Sequence, residues 1–234
     1  WTLIALNVAV FMVMTLGGPE FYDYVTREFG LIPYYVIHGE RLYTLLTSMF
    51  IHAGLLHLLG NMMYLYVFGS GVEARLGKVR YLMLYFASGI VAGLTHIVIE
   101  LVFAEPIVVY GPFMRPVAVI DPLTIPCVGA SGAISGVLGA YLVLFPRGFV
   151  NVMTITLLGL PVIIPVPAVL FIGLWFLYQV WMGVLSLAVG LFSGVSFWAH
   201  IGGFIGGLLI ALTSAPRRRR RVYYVGYWWY QVPV

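Results

Sequence analysis

Three short polar stretches stand in apolar surroundings, and they carry the side chains equipped for chemistry. Gly129-Ala130-Ser131-Gly132 offers a hydroxyl among small residues, and Ala199-His200-Ile201-Gly202-Gly203 offers an imidazole. His57-Leu58-Leu59-Gly60-Asn61 offers a second imidazole with an amide four residues on. A serine hydroxyl becomes a nucleophile when an adjacent base takes its proton, and histidine is the commonest such base. A second imidazole and an amide are N–H donors of the kind that stabilise charge developing on a carbonyl oxygen. Taken singly, each fragment also has a plainer reading. Gly-Ala-Ser-Gly suits helix packing, His200 an interfacial histidine, and Asn61 a hydrogen bond between helices. His38 and His52 read as loop or interface histidines, and His96 with Glu100 four residues on reads as a structural pair.

The elements that must position these groups follow from composition. The chain has 234 residues, 62% hydrophobic and 9% charged, with a mean hydropathy of +1.03. Soluble domains carry about 25% charged residues, so a water-soluble globule of this length would lack the polar side chains to cover its surface. Disorder is excluded by the same figures. Nucleic-acid binding is excluded for most of the chain, because the net charge of +4 comes from one terminal arginine run. A membrane admits helices or closed barrels. The apolar stretches are continuous and near the ~20 residues that a crossing helix needs, not the ~10-residue alternations of a barrel. The single cysteine, Cys127, leaves no intrachain disulfide. The predicted fold is an all-α polytopic bundle, helical throughout.

Six spans are predicted: 1–16, about 53–69, 81–103, 127–145, 167–189 and 196–214. The first lacks the basic flank and small-residue end of a signal peptide and is expected to be a span whose cytoplasmic lead is missing. Pro161, Pro165 and Pro167 leave 149–160 short for a crossing, so 149–166 is expected to approach along the interface. With six spans and the N-terminus inside, Arg75, Lys78, Arg80, Arg147 and Arg217 to Arg221 all lie inside, nine of twelve basic residues. That satisfies the positive-inside rule, whereas a seventh span would export the five-arginine tail. The first outer loop, 17–50, is rich in Tyr and expected to be partly submerged at the interface.

In this topology spans 2, 4 and 6 all run from outside to inside. Ser131 and His200 each fall about four residues into a helix, roughly 6 Å down. His57 is as deep, and Asn61 one turn deeper. Gly132, Gly136 and Gly139 are expected to meet Gly203 and Gly207, because small residues let helices approach closely in lipid. Polar groups at such depth are costly and point to function. Their conjunction at one depth suggests a serine–imidazole pair reached from the outer surface.

Together these residues resemble the rhomboid intramembrane serine proteases, over nearly the whole chain. Gly129-Ala130-Ser131-Gly132 is similar to the family's nucleophile box on its fourth helix. His200 with Gly203 and Gly207 resembles its sixth-helix motif, and His57-x-x-x-Asn61 its second-helix pair. Glu73-x-x-x-Gly77 also falls where the family carries such a pair. Two features differ. The usual Trp-Arg ahead of Leu45-Leu46-Thr47 is Tyr43-Thr44, and the usual aromatic four residues after the nucleophile is Ser135.

The resemblance implies a catalytic dyad in which Ser131 is nucleophile and His200 general base and then acid. The Ser131 backbone N–H, His57 and Asn61 would stabilise the oxyanion, and Gly129, Gly132, Gly136, Gly203 and Gly207 would pack the helices around the site. No metal or other cofactor is implied. The implied substrates are transmembrane proteins in the bilayer, cut near the outer end of a span, after a small residue and near helix breakers. The outer end of span 5 and the 190–197 loop would form a lid over the site. The implied layout is a membrane domain over 1–214 and a basic, aromatic cytoplasmic tail over 215–234. Both termini would be cytoplasmic in a multi-pass protein of a prokaryotic plasma membrane, with the site opening to the extracytoplasmic side. No oligomeric state follows. Two other readings use the same residues: an inactive rhomboid-like protein that binds membrane helices, and a small transporter. The transporter reading lacks the inverted repeats and charged pairs usual there.

Overall fold

A computed structural model describes residues 1–103, 105–110, 112–156, 159–189, 194–214, 220–225 and 228–233. Helix α1 (Thr2–Leu16) leads into short helices α2 (Gly18–Phe29), α3 (Pro33–Ile37) and α4 (Thr44–Thr47). Then come α5 (Leu55–Leu76), α6 (Lys78–Phe103), the strands β1 (Ile107–Tyr110) and β2 (Pro116–Ile120), and α7 (Ser131–Leu144). Strands β3 (Phe149–Ile155) and β4 (Pro161–Pro167) precede α8 (Ala168–Val189) and α9 (Phe197–Ser214), and β5 (Arg220–Val225) and β6 (Trp228–Pro233) follow.

Among the described residues four helices, α5, α6, α8 and α9, are long and apolar enough to cross a membrane. The expected six spans are therefore not all of crossing length. Helices α1 and α7 are apolar but have only 15 and 14 residues. At ~1.5 Å per residue they reach about 21–22 Å, short of a ~30 Å hydrocarbon core. For α7 the reason is its setting. Every residue from Gly132 to Ala140 is buried, so this helix is surrounded by protein, chiefly α6 and α9. Helix α8 is the opposite case: Leu170, Leu174, Leu177, Trp181 and Val184 are exposed, an apolar face suited to lipid.

The expectation of helix throughout is corrected at three places, where antiparallel hairpins form: β1–β2, β3–β4 and β5–β6. The segment 149–166, expected as an interfacial approach, is most of the second hairpin, paired from Phe149↔Pro167 to Ile155↔Pro161. Its β-branched residues favour strand, and prolines are tolerated because a two-stranded ribbon is all edge. Residues 70–76, expected in an inner loop, continue α5 through a π-helical turn at Leu65–Gly69. The helix stops at Gly77, whose φ of +81° suits glycine and whose N–H bonds the Glu73 carbonyl at 2.8 Å. Arg217 to Arg219 lie outside the described residues, as do 190–193 of the expected lid.

The segment 17–50 is a folded unit tied to the bundle. Arg41 pairs with Glu28 at 3.0 Å, donates to the Arg27 carbonyl at 3.1 Å and sits 4.2 Å over the Tyr35 ring. Tyr43 donates to the same Glu28 carboxylate at 2.8 Å, a bond that raises its phenol pKa. Arg41 thus anchors the loop three residues before Thr44, whose buried hydroxyl donates to the Arg41 carbonyl at 2.7 Å. Leu31 and Cys127 exchange backbone hydrogen bonds of 3.0 and 2.8 Å, and the Gly129 N–H bonds the Ser48 carbonyl at 2.9 Å. These contacts fix the chain entering α7.

Candidate active site

Ser131 is the first residue of α7, not four residues into it as the sequence suggests. The helix cannot start earlier because Gly129 holds φ at +123° and the chain before it is extended against Leu31. The first N–H groups of a helix have no carbonyl partner within it. The Ser131 N–H is one of these, at the end where the helix dipole favours negative charge. His200 is the fourth residue of α9, one turn below its start.

The two helices touch backbone to backbone. A Cβ on Gly203 would strike the Gly132 carbonyl, one on Gly207 would strike the Gly136 backbone, and one on Gly139 would strike the Phe204 carbonyl. Gly136 itself faces the Gly203 oxygen at 2.9 Å from its Cβ position. At this separation His200 Nε2 lies 2.8 Å from Ser131 Oγ.

The imidazole is held from a third helix. His200 Nδ1 lies 2.8 Å from the side-chain oxygen of Gln179 on α8. The Trp175 ring, one turn earlier on α8, lies 6.1 Å from the His200 ring at 32°. Ser135 instead returns its hydroxyl to the Ser131 carbonyl at 2.7 Å. Trp175 and Gln179 were not singled out from the sequence. Gln179 carried a signal, as a polar residue inside an apolar span.

His57 is the third residue of α5. Its Nδ1 accepts the Ala53 N–H at 3.3 Å, so in the neutral ring the proton sits on Nε2. That Nε2 lies 2.8 Å from where a Gly129 Cβ would stand, and Ser131 Oγ lies 3.7 Å from the same point. The absence of a side chain at Gly129 therefore lets the His57 ring come close to the Ser131 hydroxyl. Asn61, one turn further along α5 and buried, gives one amide hydrogen to the His57 carbonyl at 2.9 Å and does not line the cavity that holds Ser131, His57 and His200.

Ser131, His57 and His200 line one cavity of about 630 Å³, walled also by Leu31, Pro126 and Trp198. His96 and Glu100 line it too, 3.5 Å apart, with Ser196 Oγ 3.0 Å from His96 Nδ1. Among the described residues no three His, Cys, Asp or Glu side chains converge as metal ligands.

This arrangement has counterparts. The profile of the Rhomboid domain matches residues 39–217. YdcA of Bacillus subtilis (strain 168) is 31% identical over 189 residues, covering 78% of this chain and 72% of YdcA. RHOMBOID-like protein 12, mitochondrial, of Arabidopsis thaliana is 29% identical over 201 residues, covering 86% of this chain and 54% of the relative. Rhomboid protease GluP of Bacillus subtilis (strain 168) is 28% identical over 213 residues, covering 90% of this chain and 34% of GluP. The chain thus spans most of one relative, about half of another and a third of the last. The matched region holds Ser131, His200, His57, Asn61, Trp175 and Gln179, and with its four apolar helices this membrane protein belongs to the rhomboid family.

Proposed function

We propose that the chain is an intramembrane serine endopeptidase that hydrolyses peptide bonds in or near the helices of membrane-protein substrates. The observation that carries this reading is the 2.8 Å approach of His200 Nε2 to Ser131 Oγ. His200 takes the hydroxyl proton as Oγ attacks the scissile carbonyl, then returns it to the leaving amine. Water repeats the attack on the acyl-enzyme, with His200 again as base. In this reading the Ser131 N–H and the His57 Nε2–H stabilise the oxyanion, with the Asn61 amide one turn along α5 as a further donor once substrate is bound. Helices α1 and α7 complete a six-element bundle with both termini cytoplasmic, consistent with the distribution of basic residues. The cavity then opens near the outer surface, where water reaches it.

A peptide bond in a substrate helix is protected by its hydrogen-bonded carbonyl, so the helix must unwind before it is cut. Gly or Pro lowers that cost by about 1–3 kcal/mol. In vesicles holding the protein and a single-span substrate, cleavage is expected in the outer third of the span, after a small residue. Replacing a nearby substrate Gly or Pro by Leu is expected to slow it by about 5- to 150-fold. Mass spectrometry of the fragments checks this, and a cut in the inner third or indifference to the helix breaker contradicts it.

Gly129→Ala tests the oxyanion side. Its methyl would stand 2.8 Å from the His57 ring, displacing the donor, at a φ of +123° that Ala rarely adopts. Loss of one such donor costs about 100–1000-fold in kcat. That loss is expected here, with fluorophosphonate still reacting at Ser131. Unchanged kcat would remove His57 from the oxyanion site.

A further inference from the structure

Gln179 is a polar side chain on the helix that otherwise turns its bulk to lipid. Its neighbours Tyr178 and Trp181 are exposed, whereas Gln179 is 4% exposed. A buried amide is costly unless it is hydrogen-bonded, and its oxygen lies 2.8 Å from His200 Nδ1. One turn on, the Gly183 carbonyl accepts the Trp198 indole N–H at 3.1 Å. Two hydrogen bonds one turn apart thus set α8 against α9, and the deeper one ends on the base itself.

We infer that Gln179 is a positioning residue of the dyad, holding the His200 imidazole in the tautomer and orientation that direct its Nε2 lone pair at Ser131. This rests on the Ser131–His200 reading above. A neutral imidazole carries one N–H, and a carbonyl oxygen only accepts. With Nδ1 facing that oxygen, the proton belongs on Nδ1 and Nε2 is the acceptor. The opposite tautomer would set two lone pairs face to face and point an N–H at the nucleophile. Trp175, against the same ring, limits its rotation. The group is a neutral amide where hydrolases with a third member commonly use a carboxylate. It orients the base without supplying a full charge to the imidazolium.

The test compares Gln179→Leu and Gln179→Glu with the parent in full-chain proteoliposomes, reading kcat, KM, thermal midpoint and the pH profile of kcat/KM, with Ser131→Ala as control. Gln179→Leu is expected to lower kcat about 10- to 100-fold with KM unchanged. Gln179→Glu is expected to keep kcat within a fewfold of the parent. It is also expected to move the acid limb of the profile to higher pH, by about one unit or more, because a carboxylate at Nδ1 favours the charged ring. Among the described residues His57 on α5 is the titratable group that acts on His200, and His96 and Glu100 on α6 line the same cavity; all three are the same in all variants. Unchanged kcat in Gln179→Leu, with Ser131→Ala inactive, overturns the inference and leaves the dyad standing. An unmoved limb in Gln179→Glu overturns it as well, even if Gln179→Leu fails to fold. Activity surviving in Ser131→Ala removes the dyad and this inference with it.

Discussion

Ser131→Ala is expected to lower kcat for a membrane-helix substrate by about 10⁴- to 10⁶-fold, with KM and thermal midpoint close to the parent's. In the proposed mechanism the Ser131 hydroxyl oxygen forms the covalent bond, and it is the group that lies 2.8 Å from His200 Nε2. The Ser131 side chain is small and only partly buried, so its loss removes little packing. What survives is catalysis by donors alone, a residual known to persist when a nucleophile is deleted. His200→Ala is expected to cost a similar factor, and the double variant no more than either single one, because the two groups act as one unit. Gel-based cleavage rates with each variant check this. Additive losses would show that the two residues act separately.

The second large effect lies two turns from the chemistry. Gly207→Val is expected to destroy both activity and thermal stability, at a cost of about 3 kcal/mol or more. Overpacking is tolerable where a neighbouring side chain can turn away. The atoms met by a Gly207 Cβ are the carbonyl oxygen, carbonyl carbon and Cα of Gly136, which cannot turn without moving α7. Such a shift pushes α9 off α7 and opens the 2.8 Å contact between His200 and Ser131. Gly60 on α5 is the control, since nothing stands within 4 Å of its Cβ position. Gly60→Ala is expected to leave activity intact and to stabilise slightly, by about 0.5–1 kcal/mol. Thermal midpoints in detergent with parallel activity assays decide it. A stable, active Gly207→Val would mean that the helices are not locked at this contact.

The site was more legible in the sequence than the bundle around it. A hydroxyl and three N–H or imidazole groups in apolar stretches are conspicuous, because each costs free energy in a membrane unless it has a use. Glycines at helical spacing announced close packing for the same reason. What Gln179 bonds was not legible, since a lone polar residue in a span does not say which neighbour it meets. Nor was the start of α7 at Ser131, which depends on Gly129 adopting φ +123° and on backbone pairing with Leu31, distant in sequence. Hydropathy counts apolar length without distinguishing lipid from protein surroundings. It therefore gave α7 a full crossing, although this helix is enclosed by its neighbours. The hairpin at 149–167 was hidden by an apolar run whose prolines argued against helix without naming strand.

The most direct test of the central claim is covalent labelling of the folded, detergent-solubilised protein with a fluorophosphonate, followed by peptide mass spectrometry. The expected result is one adduct, on Ser131, absent in Ser131→Ala and at least about 100-fold slower to form in His200→Ala. Equal labelling of Ser131→Ala, or no labelling of a folded parent, would contradict a Ser131 nucleophile activated by His200.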